Sequence, residues 1–236
     1  MGDSGDAAKA AAARSAVARL TPGRVALGTG STAAWAVRTI AERFPKGRGF
    51  EFVCSSHATE DLARSLGLPV RGLREDDRFT VMVDGADEVS EALDLTKGGG
   101  GALFREKLLA VLSEELVIMI DPSKLVTRLG EKAPIPVEVV PFARGVLAER
   151  FRKQGYQVQL RTLREGVPYV TDNGNEILDL RPPRPLEDPR ATAAELRALI
   201  GVVETGLFPG MAHRVVIGHS DGRVEERIAS AGVRRR

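Results

Sequence analysis

The stretch RVALGTGSTAAWAV, Arg24–Val37, decides the fold. It reads as a short apolar strand, a tight glycine turn and the start of a helix. Gly28, Gly30 and Ala33 also match G-x-G-x-x-G/A, the spacing of a dinucleotide-binding turn. Glycines there let backbone approach a ligand closely, and the new helix presents unpaired N–H groups and a positive dipole end. Thr29, Ser31 and Thr32 add hydroxyls, so the turn suits a phosphate or carboxylate. A dinucleotide needs more: an acidic residue about 20 positions on, ending the second strand, to hold the ribose hydroxyls. Glu51 falls at the start of that strand, and its end reads CSSHAT, polar but neutral. The motif therefore argues against NAD. By itself it leaves open a βα turn that binds nothing.

Outward from this turn, apolar runs alternate with helical stretches. The expected strands are Arg24–Leu27, Glu51–Cys54, Val70–Leu73, Thr80–Val83 and Leu116–Ile120. The expected helices are Ala7–Leu20, Thr32–Phe44, Ala58–Leu66 and Ala102–Ser113. Such alternation implies βαβ units and a parallel, doubly wound sheet, whose ligands bind outside the carboxyl ends of the strands. Polar clusters fall at those ends: Thr29–Thr32, Ser55–Ser56, Asp84–Asp87 and Asp121–Lys124.

The pattern changes at GEKAPIPVEVVPF, where Pro134, Pro136 and Pro141 punctuate a junction. A helix is expected over Ala143–Gln154, strands over Gln157–Leu163 and Val167–Thr171, and a helix over Thr192–Leu199. TDNGNEILDL reads as a hairpin, because Asn-Gly accepts the positive φ of a tight turn. HRVVIGHSDG then reads as a strand returning to the first domain. The expected division is residues 1–132 with 206–236, interrupted by a smaller domain over 133–205.

Composition narrows the classes. The 236 residues are 43% hydrophobic and 28% charged, with a formal net charge of +2. That is ordinary for a globular protein, and both signs are mixed along the chain. The one basic block, VRRR at Val233–Arg236, reads as a solvated terminus, so no nucleic-acid partner is expected. The single cysteine, Cys54, excludes an internal disulfide and fits a reducing, cytoplasmic setting. His57, His213 and His219 are not spaced as metal ligands. No apolar run reaches the ~18 residues of a membrane span.

Two further segments carry candidate chemistry. In VMVDGADEVSEALDLTKGGGGALFREK, Asp84 ends an apolar strand and Asp87 follows three residues later, a pair suited to proton handling or to a plain turn. Lys97 precedes Gly98–Gly101, a run costly to order unless backbone must pass close to a ligand or cradle an anion. Glu106 lies in the next helix, off an apolar stripe of Phe104, Leu108, Val111 and Leu112. By spacing it is a solvated charge; in a closed cleft it would serve as a general base. In VIMIDPSKLVTRLG, Asp121 and Lys124 follow a further strand, where Asp-Pro-Ser-Lys also suits a helix start.

Taken in order, LGTGSTA, VDGADEV, KGGGGALFREK, DPSK, PVEVVPFA, VTDNGNEILDL and GVVETGLF resemble the type A ribose-5-phosphate isomerase family. The resemblance implies a Rossmann-like, doubly wound, mostly parallel sheet domain with a smaller inserted α/β domain, ferredoxin-like in kind. It implies interconversion of D-ribose 5-phosphate and D-ribulose 5-phosphate through an enediolate, with no cofactor or metal, in a homodimer. By it, Glu106 is the base that moves the proton between C1 and C2. Asp84 and Asp87 serve acid–base and ring-opening work, and Lys97 stabilises the oxyanion or holds substrate. Thr29, Gly30, Ser31, Thr32, Gly85, Ala86, Gly98, Gly99, Gly100 and Lys124 match substrate-binding positions, and Lys9 matches a phosphate-binding lysine. His57 and the RPPRPLEDP loop match no family motif. Two rival readings remain at this point: a non-catalytic sugar-phosphate sensor, and another sugar-phosphate enzyme such as an amino-sugar deaminase or a lactonase.

Overall fold

A strand buried on both faces reads as a continuous apolar run, and LVIMI at Leu116–Ile120 is buried at every position. The computed structural model describes residues 2–163 and 166–229. In chain order the elements begin with α1 (Gly2–Ala18), β1 (Gly23–Leu27), α2 (Ser31–Arg43), β2 (Phe50–Cys54), α3 (His57–Ser65) and β3 (Val81–Gly85). They continue with β4 (Glu88–Val89), β5 (Leu95–Thr96), α4 (Leu103–Val111), β6 (Leu116–Ile120), β7 (Ile135–Val139), α5 (Arg144–Lys153) and β8 (Gln157–Leu160). The last are β9 (Glu176–Arg181), α6 (Pro189–Arg197), β10 (Val202–Thr205), β11 (Leu207–Phe208), β12 (Arg214–Gly218) and β13 (Val224–Ile228).

These elements form two compact units. The first takes the described residues up to Ala86, Arg105–Lys124 and those from Met211 on; the second takes Asp87–Phe104 and Leu125–Gly210. The division differs from the one expected from sequence. Residues 87–104, 125–132 and 206–210 group with the second unit, because β4 and β5 pair with each other and β11 pairs with β5.

The first unit is built on a six-stranded sheet in the order β13-β12-β6-β3-β1-β2. All neighbours are parallel except β12 and β13. The chain goes from β1 outward to β2 and then back to β3 on the other side of β1. Strand order therefore reverses between β1 and β3, and a doubly wound sheet binds its ligands at that crevice. Ala-rich α1 lies hard against β12: a Cβ on Gly218 would stand 2.0 Å from the Ala8 carbonyl oxygen. Ala12, Ala16, Val17, Val37 and Ile40 join Val25, Leu27 and Phe52 in its core.

The second unit carries a four-stranded antiparallel sheet in the order β10-β7-β9-β8. With α5 and α6 this is the βαββαβ succession of a ferredoxin-like unit. Leu147 and Phe151 of α5 and Leu196 of α6 pack with Val137, Leu178 and Leu180 of the sheet. The expected hairpin forms: Gly174 has φ 80°, and the Thr171 N–H donates to the Asn175 carbonyl. Its turn is braced by the buried Glu138 carboxylate, whose Oε1 accepts from Thr171, Asn173 and Asn175.

Two expected strands are absent. Val70–Leu73 makes one bridge, Val70 to Phe52, because the chain winds around Asp77 instead. Asp77 pairs with the Arg71 guanidinium and accepts from the Arg74 N–H. Val167–Thr171 makes only isolated bridges, and Pro168 has no N–H for a ladder. Conversely, PVEVV, taken as a junction, is most of the central strand β7. The Val233–Arg236 tail lies outside the described residues.

Candidate active site

In the first unit, β1, β3 and β6 are parallel neighbours, so the turn after Leu27, Asp84 at the end of β3 and the Asp121–Lys124 turn share the sheet's carboxyl edge. Asp84 is fully buried. Its Oδ1 accepts the N–H of Thr29 at 3.1 Å and of Gly85 at 2.7 Å. Gly28 makes room for that carboxylate: a Cβ there would stand 1.9 Å from Asp84 Oδ1. The first glycine of the motif thus serves the protein's own carboxylate. Gly30 has φ 105° and open space around it, so backbone conformation alone demands glycine there.

The neutral CSSHAT segment explains itself in the same place. The Thr29 hydroxyl donates to Ser56 Oγ, Ser56 to Thr59 Oγ1, and Thr59 to the Gly28 carbonyl oxygen. Thr29's one hydroxyl proton is committed, so Ser55 is the donor in the 2.7 Å contact between Ser55 Oγ and Thr29 Oγ1. This chain ties the end of β2 to the turn after β1. With Asp84 taking its N–H and Ser56 its hydroxyl proton, both donors of Thr29 are engaged within the protein. Thr32 packs against Gly85, its Cβ 3.4 Å from where a Gly85 Cβ would stand. Burial, with Glu60 nearby, pushes the Cys54 thiol up to about 12, so Cys54 is not a nucleophile.

Glu106 is 2% exposed. Leu103, Glu106, Leu109 and Ala110 form the buried face of α4, whereas Leu108 and Val111 are exposed. The apolar stripe expected from sequence was therefore the wrong face, and Glu106 is not a solvated charge. Lys124 closes a single 3₁₀ turn, Pro122–Lys124, instead of opening a longer helix. Asp121 Oδ1 caps it through the N–H and hydroxyl of Ser123. Lys9 lies in α1 beside Ala8, whose carbonyl sits over the last residue of β12, so this part of α1 is also at the carboxyl edge. Its ammonium is 3.7 Å from Asp6. His57 is the exposed first residue of α3.

In the second unit, Lys97 is 2% exposed, its ammonium 5.5 Å from the centroid of the Phe208 ring. Its backbone is pinned: the Lys97 N–H donates to the Gly206 carbonyl, and a Cβ on Gly206 would stand 2.2 Å from the Lys97 oxygen. Asp87 accepts the Gly99 N–H at Oδ2, 2.8 Å, and a Cβ on Gly99 would stand 2.4 Å from Asp87 Oδ1. Gly98 and Gly101 have φ 96° and 83°. The glycine run is thus ordered by its own chain. Among the described residues, no three His, Cys, Asp or Glu side chains group as metal ligands, and no helix is long and apolar enough to cross a membrane.

Asp84, Lys97 and Glu106, three residues that the resemblance singles out, are thus all buried. Residues 51–222 match the family described as ribose 5-phosphate isomerase A (phosphoriboisomerase A). The chain belongs to that family. It is 46% identical over 217 residues to the ribose-5-phosphate isomerase A of Chloroflexus aurantiacus, covering 91% of this chain and 90% of that one. It is 45% identical over 223 residues to that of Synechococcus sp., covering 93% and 96%. Among solved structures, the ribose 5-phosphate isomerase from Plasmodium falciparum superposes with a TM-score of 0.90 at 33% identity, covering 95% of this chain and 99% of that one. A D-ribose-5-phosphate isomerase in complex with phospho-erythronic acid gives 0.88 at 33% identity, covering 93% and 97%.

In this member of the ribose 5-phosphate isomerase A family, several residues that shape the two glycine segments and the Lys97 surroundings carry little signal in the sequence. Ser55, Ser56 and Thr59 fix the first turn, and only their polar character at a strand end signalled it. Phe208 under Lys97, and Gly206 against its backbone, lie in the GVVETGLF motif with no chemical signature of their own. Arg161, just after β8, carries no signal of its own in the sequence.

Proposed function

We propose that this chain interconverts D-ribose 5-phosphate and D-ribulose 5-phosphate through an enediolate, as its family's name describes, in the non-oxidative branch of the pentose phosphate pathway. The burial of Glu106 carries this reading. A carboxylate costs several kcal/mol to bury, so its place on the buried face of α4 fits a group kept for proton transfer. Glu106 takes the C2 proton of the open-chain aldose while O1 gains a proton. The resulting enediol loses the O2 proton, and Glu106 returns its proton to C1. The electron pair moves within the substrate, so the reaction is redox-neutral.

A positioned base contributes about 10²–10⁴-fold. Lys97 supplies the cation for the oxyanion, a donor worth roughly 3–4 kcal/mol when preorganised. Its burial against Phe208 supports that role. Asp84 and Asp87 open the ring and move the hydroxyl protons. Gly85, Ala86, Gly98 and Gly100 line the sugar with backbone. The phosphate takes Ser31, Thr32, the start of α2, Lys124 and Lys9. A similar isomerase carries phospho-erythronic acid, which has a phosphate and a carboxylate, the two anionic features of an enediolate phosphate.

The working form we propose is a cytoplasmic homodimer. Phe142, Val146 and Ile200 of the second unit are 98%, 76% and 98% exposed, apolar surface that a second copy would cover. The test of the reaction is an isomerase assay on ribose 5-phosphate with and without a chelator. Turnover that survives the chelator supports the reading. Saturable sugar-phosphate binding with no exchange of the C2 proton into deuterated water would instead indicate a sensor.

A further inference from the structure

Arg161 follows β8, its N–H bonded to the Ile177 carbonyl of β9. All three of its guanidinium nitrogens are engaged. Nε and Nη2 pair with both oxygens of Asp179, at 2.9 and 2.5 Å. Nη1 turns the other way and donates to the carbonyl oxygens of Gly98 at 2.7 Å and Gly99 at 3.1 Å. Both side chains are only about one-sixth exposed, at 16% and 15%. An ion pair that only decorated a surface would leave its third nitrogen in water. This one reaches into the glycine run.

The carbonyl of Gly98 and the N–H of Gly99 belong to one trans peptide and point in opposite directions. Arg161 holds the carbonyl side, and Asp87 Oδ2 accepts from the N–H side at 2.8 Å. The peptide is thus clamped between a cation and a carboxylate, and a cation on its carbonyl polarises its N–H toward the acceptor. Gly99 can carry no Cβ there without striking Asp87. The second carbonyl that Arg161 holds, that of Gly99, turns the Gly100 N–H away from Arg161 in the same manner. Tyr169 reaches the Gly100 carbonyl at 3.4 Å and fills the space beside Gly101, where a Cβ would stand 2.2 Å from its hydroxyl.

We propose that the Arg161–Asp179 pair is a positioning device for Asp87, acting through the peptide between Gly98 and Gly99. Arg161 is bonded to Asp179 and to two backbone carbonyls and acts through them, not on a reacting atom. It sets the direction of one N–H, and that N–H sets the Asp87 carboxylate. The proposal rests on the reading of Asp87 as an acid–base residue.

A double-mutant cycle tests it. Arg161→Lys keeps the charge but cannot grip Asp179 with two nitrogens and two carbonyls with a third. The expected result is a fall in kcat of about tenfold with KM within about twofold, the scale of a misdirected catalytic group. In an Asp87→Asn background, which lowers kcat by itself, the same change should cost nothing further. Equal losses in both backgrounds would mean general damage to the unit and would overturn the proposal. So would an unchanged kcat in Arg161→Lys. Asp179→Asn, which leaves Arg161 in place, runs the same cycle should Arg161→Lys fail to fold. If Asp87→Asn alone keeps full turnover, the acid–base reading of Asp87 is what has failed, and the positioning role falls with it.

Discussion

The two glycine-rich segments, Gly28–Thr32 in the first unit and Gly98–Gly101 in the second, look like equivalent anion cradles in sequence. In the structure each first makes room for an acid of the protein itself. Gly28 admits Asp84, and Gly99 admits Asp87. They differ in what holds them. The first is braced by neutral hydroxyls, Ser55, Ser56 and Thr59, passing one direction of hydrogen bonding to the Gly28 carbonyl. The second is braced by an ion pair, Arg161 with Asp179, gripping two carbonyls. A hydroxyl chain is short-ranged and tied to one strand end, so it sets a turn already fixed by β1 and α2. A guanidinium fork imposes direction on a run with no side chains of its own.

The comparison can be broken from either end. Gly28→Ala should have the largest effect, because its Cβ would lie 1.9 Å from a carboxylate held by two backbone N–H groups. Displacing Asp84 by about 1 Å should cost about 100-fold in kcat, measured with ribose 5-phosphate. Gly99→Ala should cost less, about tenfold, since Asp87 is partly exposed and can shift away from the new methyl. Equal losses at the two positions would erase the distinction between the two segments. Thr59→Val removes the last hydroxyl of the chain and leaves the Gly28 carbonyl without that donor. Thermal unfolding should show a loss of about 1–3 kcal/mol, with kcat affected less than in either glycine variant.

The smallest effect concerns neither glycine segment and serves as a control. The Arg71 guanidinium beside Asp77 holds its carboxyl down at about 2, against an ordinary 3.8. A depressed carboxylate contributes stability that is complete above its unfolded value and lost as pH falls through the folded one. The melting temperature should therefore drop between about pH 4 and pH 2, and Asp77→Asn should flatten that slope. Turnover at neutral pH should follow only the fraction folded.

Much of the first unit was legible because its signals are local. The strand, glycine turn and helix at Arg24–Val37 needed no tertiary knowledge, and Asp84 stood at the end of an apolar run. The second unit was harder. Pro136 disguised the central strand β7, and the residues that order the glycine run, Arg161 and Tyr169, lie more than sixty positions away in sequence. On α4 the hydrophobic period pointed to the wrong face for a physical reason. A buried acid interrupts the stripe at Glu106, while Leu108 and Val111 stay exposed. Patterning assumes that buried means apolar, and a buried acid breaks that assumption.

That exception is also where the account is most exposed. Glu106→Gln keeps the size and hydrogen-bonding reach of the side chain but cannot take a proton. With ribose 5-phosphate in deuterated water, the variant should lose about 10²–10⁴-fold in both kcat and the rate of solvent exchange at C2. Binding of phospho-erythronic acid should stay close to that of the unaltered chain. Near-normal turnover or exchange in Glu106→Gln would contradict the central claim, because the proton would then be moving through some other group.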